Sequence, residues 1–550
     1  MKDRWIKTLV LGALVLAWCG APARAQIEGT PHDLSAVSGG ATCSFCHTPH
    51  GALAGTPLWN RKLSTAVYRI YQSSSLEADV GQPTGSSKLC LSCHDGTVAL
   101  TESLRGDVAG GTYITPGVAN LGTDLSDDHP ISFVYSSALS AQDPQIRPAT
   151  TLPEQLRLDR SSELQCTTCH DAHDNRFGDF LVMPNDRARM CTTCHDLAGW
   201  RFSSHESSNV PVAGANDPYL QSDARGTLAD AGCLICHRPH GAGGPERLLH
   251  FARAEENCLS CHDGSVATTN IRGDLLKLSR HDVMGYQGIH DPRETPATAP
   301  RHVECVDCHN PHAVQQGSAQ APLIQPAMQG VSGVASSGAA IQNAQFEYEV
   351  CFKCHGDNPD RVGAAVTRQI TQTNVRLEFD PSGPSFHPVA VPGVNRQVPS
   401  LRPPRTVTDL IYCTDCHSSD NPSMGKGPHG SVYPHLLAYR YETADFTQEN
   451  SASYELCYRC HSRNSILNDE SFPAHRVHLE DGIPCSACHD PHGISLSQGT
   501  TLNNSHLINY DITIVQPDPG TGRLAFEDLG IFHGRCYLSC HGNTHSPAEY

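Results

Sequence analysis

Cysteine and histidine recur along this chain at one fixed spacing. Cys-x-x-Cys-His occurs eleven times, and Cys-x-x-x-Cys-His once. The paired thiols are Cys43 and Cys46, Cys90 and Cys93, Cys166 and Cys169, Cys191 and Cys194, Cys233 and Cys236, Cys258 and Cys261, Cys305 and Cys308, Cys351 and Cys354, Cys413 and Cys416, Cys457 and Cys460, Cys485 and Cys488, and Cys536 and Cys540. The histidines that close them are His47, His94, His170, His195, His237, His262, His309, His355, His417, His461, His489 and His541. Chance predicts well under one such match in a chain of this composition. Two thiols at this spacing add across the two vinyl groups of a haem, with no leaving group, and the next residue is held where its imidazole reaches the iron. The pattern predicts twelve covalently bound haem c groups.

Other uses of cysteine fit less well. Zinc knuckles draw four ligands from two motifs and do not demand histidine after every second cysteine. Disulfides do not fix a two-residue gap eleven times. Thioredoxin-like redox pairs come with a βαβ setting that is absent here. The motifs use 24 of the 25 cysteines and leave only Cys19.

The second axial ligand decides whether such a site moves electrons or binds a substrate. Of 32 histidines, 20 lie outside the motifs, whereas methionine totals six, Met1 included. Histidine is therefore the expected distal ligand. Five recur three residues beyond a motif histidine: His50, His173, His240, His312 and His492. The chain is already fixed to the near face of its own haem, so these residues are expected to reach a neighbouring one. That draws two macrocycles together. The remaining distal candidates are His32, His129, His205, His281, His387, His429 and His478, with His475 competing against His478. His302, His506, His533 and His545 stand in reserve, and His250, His290 and His435 read as surface or propionate-binding residues.

The elements that must position these groups are sparse. Only 38% of residues are hydrophobic and 6% aromatic, against 46 Gly and 38 Pro. That is little apolar material for a conventional core of this length, so the macrocycles are expected to supply most of it. The fold class predicted is mostly irregular chain with short α-helices and few strands, organised around a chain of stacked haems. A duplication is visible in CSFCHTPHGA from Cys43 and CLICHRPHGA from Cys233, followed by CLSCHDGTVA and CLSCHDGSVA. One strand is expected at 507–515, where apolar and polar residues alternate. Residues 314–345, rich in Gln, Ala, Gly and Ser, read as a flexible linker. It would separate an N-terminal multihaem region, 26–313 with seven motifs, from a C-terminal one, 346–550 with five.

Residues 1–25 have a basic start, a short apolar run and Ala23-Arg24-Ala25 at the end, the signature of a cleaved secretory signal. No later stretch is apolar enough to cross a bilayer. The formal net charge of -18 disfavours a nucleic-acid partner, which needs concentrated positive surface.

With these motifs in view, the chain resembles the multihaem c-type cytochromes with doubled CxxCH motifs found in metal-respiring bacteria. The resemblance rests on PHDLS ahead of CSFCHTPHGA, PLWNR, SKLCLSCHDGTVAL, DLSDDHPISF around His129, GPHGS at His429, AHRVHLEDGIPCSACHDPHG and CYLSCHGNTH. It implies low-potential bis-histidine haems, with His32, His129 and His429 as distal ligands, and electron transport across the periplasm or outer membrane in anaerobic or extracellular respiration. The three-residue gap between Cys536 and Cys540 departs from the family pattern. Expected partners are redox cytochromes, an outer-membrane porin complex, or further copies of the chain. Two rivals carry different expectations: a terminal reductase of nitrogen or sulfur oxyanions with one open haem, and a filament-forming or porin-associated conduit subunit. All twelve motifs keep histidine, and no other catalytic constellation stands out, so an electron carrier and not an enzyme is the reading.

Overall fold

The computed structural model describes residues 27–38, 42–104, 106–107, 111–222, 226–286, 302–357, 365–421 and 423–550. The expected signal segment therefore lies outside the described residues. The chain forms two compact units: Met1–Asp196 with Cys236–His250, and Leu197–Ile235 with Phe251–Tyr550. The division expected near residue 340 is not where they part.

In the first unit the longest helix is the ten-residue Gly85–His94, which ends on a motif histidine. A two-residue antiparallel pairing joins Phe133–Val134 to Glu163–Leu164. Its apolar contacts gather in two small clusters, around Tyr68, Leu91 and Leu125, and around Phe133, Tyr135 and Leu164. Gln165 is buried beside them and acts as a polar hub. Its side-chain oxygen accepts the hydroxyls of Ser87 at 2.6 Å and Ser132 at 3.2 Å, and its amide donates to Glu163 at 3.0 Å. A buried amide must be satisfied in this way. Because Gln165 immediately precedes Cys166, the same bonds seat that motif against the helix carrying Cys90.

The second unit has a nine-residue helix, Glu347–His355, several two-residue pairings, and one larger sheet. That sheet is antiparallel, in the order β1 (Ala525–Gly530), β2 (His533–Cys540) and β3 (Asn543–Glu549). Irregular chain with short helices and small sheets is thus the architecture, as composition predicts. Of the seven apolar clusters among the described residues, six include motif cysteines. Apolar side chains collect where the thiols are.

Two expectations are corrected. Residues 507–515 form no strand. Thr513 donates its backbone N–H (2.9 Å) and hydroxyl (2.7 Å) to Asp511, which turns the chain, while Tyr510 and Val515 fall into the core. Side-chain capture of backbone by Asp outcompetes a short alternating pattern. Residues 314–345 are also ordered: Gly333–Val334 pairs with Ala340–Ile341, and Ile324, Val331 and Ala344 pack against Val350. The small residues that read as a linker permit close approach. A Cβ on Gly333 would stand 2.8 Å from the carbonyl oxygen of Glu349.

Candidate haem sites

Each site begins with one tight turn. At Cys166–Cys169, Cys191–Cys194, Cys305–Cys308 and Cys485–Cys488 the motif is a four-residue helix with its histidine as C-cap, in extended backbone. The N–H of the motif histidine donates to the carbonyl of the first cysteine, as in His47 to Cys43 (3.0 Å), His262 to Cys258 (2.9 Å), His417 to Cys413 (2.8 Å) and His461 to Cys457 (2.9 Å). One helical turn puts both thiols on the same side, and its extended end aims the imidazole away from the turn.

The chain then returns and fixes the ring. Nδ1–H of His47 donates to the carbonyl of Pro57 (2.7 Å), His94 to Ala119 (2.6 Å), His170 to Asp179 (2.8 Å), His237 to Arg247 (2.7 Å), His309 to Ala327 (2.7 Å), His417 to His435 (2.8 Å) and His489 to His506 (2.9 Å). In several of these loops the residue whose carbonyl accepts, or its neighbour, has a left-handed backbone: Leu58, Asp179, Arg247, His435 and His506. A single bridge follows, pairing the motif histidine with Trp59, Leu181, Leu249, Leu437 or Ile508. The sequence signal for these loops was a doubled apolar pair, as in Leu248-Leu249 and Leu436-Leu437, nine to nineteen residues past the motif. Holding Nδ1 in this way leaves Nε2 as the metal-binding nitrogen.

Beside nine of the motif rings stands a second imidazole. Ring centres are separated by 6.1 Å for His32 and His94, 6.0 Å for His47 and His173, 6.3 Å for His129 and His195, and 6.2 Å for His170 and His240. In the second unit the values are 6.3 Å for His205 and His262, 6.2 Å for His281 and His355, 6.1 Å for His309 and His429, 5.9 Å for His417 and His492, and 6.4 Å for His475 and His489. An imidazole nitrogen binds a transition metal at about 2 Å and lies roughly 1 Å from its ring centre, so two axial rings on one iron stand ~6 Å apart. The residues present fit bis-histidine haem. The facing imidazoles are mostly anchored through Nδ1 too: His205 to the Pro311 carbonyl (2.9 Å), His240 to Asp128 (3.0 Å) and His492 to Glu378 (3.0 Å). Burial holds His195, His262, His417 and His489 down to about 4. Those rings are neutral, the state that binds metal.

The structure redistributes some expected roles. His173, His240 and His492, three residues past their own motifs, face histidines of other motifs. His312 lies edge-on to Trp200 at 6.2 Å. His475, not His478, faces His489. His387 lies close enough to His461 to help burial lower its pKa to about 4. His290 lies outside the described residues.

Consecutive motifs also touch through their thiols. The sulfur atoms of Cys90 and Cys166, Cys258 and Cys305, Cys351 and Cys413, and Cys457 and Cys485 lie close enough to influence each other. In each case the first cysteine of one motif meets the first cysteine of the next. Among the described residues no group of three or more His, Cys, Asp or Glu converges as for a bare metal ion, and no helix is long and apolar enough to cross a membrane.

The twelfth motif differs. Cys536 and Cys540 lie in β2, and His541 follows in the turn to β3 with φ 49°. Its Nε2 donates to Asp445 at 2.8 Å, and its ring stacks on Phe446 at 4.4 Å. Facing each other at 6.1 Å are instead His478 and His545.

No curated protein matches the chain. Residues 161–199, 226–267 and 404–465 match the family model described as the doubled CXXCH motif. Over those three stretches the chain is similar to the doubled CXXCH motif of multihaem c-type cytochromes.

Proposed function

We propose that the chain is a dodecahaem cytochrome that carries electrons through closely spaced bis-histidine haems, in respiration outside the cytoplasm. The observation that carries this reading is the set of nine motif histidines facing a second histidine at 5.9–6.4 Å. Bound haem supplies one-electron redox chemistry at these sites. The cysteines would stitch each group to the chain, and at the nine paired sites the two imidazoles would hold both axial positions and leave no coordination site there for a substrate. Distal residues such as His173, His240 and His492 reach across to another motif, and the thiol contacts at Cys90–Cys166 and Cys457–Cys485 bring neighbouring attachment points together. Both favour transfer between cofactors over chemistry at one of them.

The N-terminal signal-like segment of the sequence supports export, and other cytochromes or a porin complex are the partners this role requires. Intact mass and spin state test the reading together. The purified protein is expected to exceed its apoprotein mass by twelve haems, to show low-spin ferric spectra, and to bind no carbon monoxide when reduced. A mass far short of twelve would overturn the count, and a stoichiometric high-spin, carbon monoxide-binding fraction would favour an oxyanion reductase.

A further inference from the structure

We infer that the haem on Cys536 and Cys540 is capped by His478 and His545, and that the histidine of its own motif, His541, stays off the metal. The inference rests on the bis-histidine reading above and concerns one site within it.

Strand geometry explains the unusual spacing. Along a strand, side chains alternate faces, so residues three apart point oppositely and residues four apart point the same way. Eleven motifs sit on helical turns, where a gap of two suffices. The twelfth sits on β2, where only a gap of three puts both thiols on one face. His541, the next residue, leaves the strand in a left-handed turn (φ 49°), and its ring goes to Asp445 and Phe446. The extra residue in Cys-x-x-x-Cys-His is what a strand-borne attachment needs, and the turn that follows carries the adjacent histidine elsewhere.

The register supplies the replacement. Leu538 lies between the two cysteines on β2, and its Cα partner on β3 is His545. Directly paired residues project from the same face of a sheet. Cys536, Leu538 and Cys540 share one apolar cluster with Cys488, so His545 flanks the face that turns toward the preceding motif. Opposite it, His478 donates Nδ1–H to the carbonyl of Ala474 at 2.5 Å, the same lock that leaves Nε2 free elsewhere. Among the histidine–histidine pairs at this separation in the described residues, this one contains no motif histidine. His541 shows the complement. The nitrogen it gives to Asp445 is Nε2, the one that the locked motif histidines keep for metal. One short helix, His475–Glu480, then serves two sites, with His475 facing His489 and His478 facing His545.

The test uses the full-length matured protein and reads haem number by intact mass, spin state by EPR, and carbon monoxide uptake after reduction. His545→Ala is expected to keep twelve haems, turn one high-spin, and take up about one carbon monoxide per molecule. His545→Met is expected to keep every haem low-spin while raising the potential of one, as methionine ligation does. His541→Gln is expected to match the wild type in all three measurements. A high-spin haem or a missing haem in His541→Gln overturns the assignment, as does a His545→Ala protein that stays fully low-spin. A wild-type mass of eleven haems also overturns it but spares the other sites, whereas general high-spin character in the wild type removes the bis-histidine reading itself.

Discussion

The imidazole of His240 stands 6.2 Å, centre to centre, from that of His170, a histidine of a different motif. Asp128, buried behind His240, accepts its Nδ1–H at 3.0 Å. A residue placed by one attachment point thus stands beside the motif histidine of another. Replacing His240 by alanine is expected to leave twelve haems by mass and to make one high-spin. That haem is the one on Cys166 and Cys169, not the one on Cys233 and Cys236. Resonance assignment of the shifted haem methyls decides which, and a change confined to the local haem removes the bridging relationship.

Glu378 is buried and accepts Nδ1–H of His492, which faces His417. A carboxylate partner makes the imidazole more electron-rich and favours the oxidised metal. Glu378→Gln is expected to raise the potential of the haem on Cys413 and Cys416 by roughly 60 mV, the equivalent of one tenfold step for a single electron, with the spin state unchanged. Spectroelectrochemistry of the variant would show no shifted component if the contact were only structural.

Arg368 binds backbone rather than a partner side chain alone. Its guanidinium donates to the carbonyls of Ser486 (2.6 Å), Asn509 (2.8 Å) and His489 (2.9 Å), spanning the eleventh motif and the loop that returns to it. Asp490 lies 3.7 Å from Nε. Arg368→Ala removes three donors from those carbonyls and the charge partner of a half-buried carboxylate, a cost of about 2–4 kcal/mol. Lysine cannot reproduce the fork. Denaturant titration of Arg368→Lys should recover less than half of the loss.

Burial pushes the Glu347 carboxyl up to about 7, despite the hydrogen bonds it accepts from Thr414. Between the ordinary value of 4.5 and about 7, the unfolded chain has released this proton and the folded one keeps it. Stability therefore falls as pH rises through that window, by on the order of 3 kcal/mol in total, and is flat above it. Glu347→Gln should remove the slope in melts taken from pH 4 to pH 8. An unchanged slope would assign it to other groups.

How much of this was legible in the sequence depended on the range of the contact. The attachment motifs are local, so Cys-x-x-Cys-His reads directly. The offset of His173, His240 and His492 is also local, and a steric argument sufficed to send them elsewhere. The choice between His475 and His478 was not legible, because both lie on one face of a single turn and only the position of His489 separates them. The setting of the twelfth motif was not legible for a similar reason: the strand that carries Cys536 and Cys540 is defined by its pairing with 543–549, which the motif itself does not reveal. Ordered chain at 314–345 was hidden by composition, since Gly and Ala serve tight packing as readily as flexibility.

The rings that face the metal sites are steered chiefly by peptide oxygens, and peptide oxygens belong to every residue alike. Pro57, Ala119, Asp179, Arg247, His435 and His506 have nothing in common as side chains, yet perform one task. These positions are therefore free to drift in identity so long as the loop keeps its path. Only the thiols, the imidazoles and a few apolar anchors remain as fixed points, which accounts for a chain whose architecture repeats far more faithfully than its spelling.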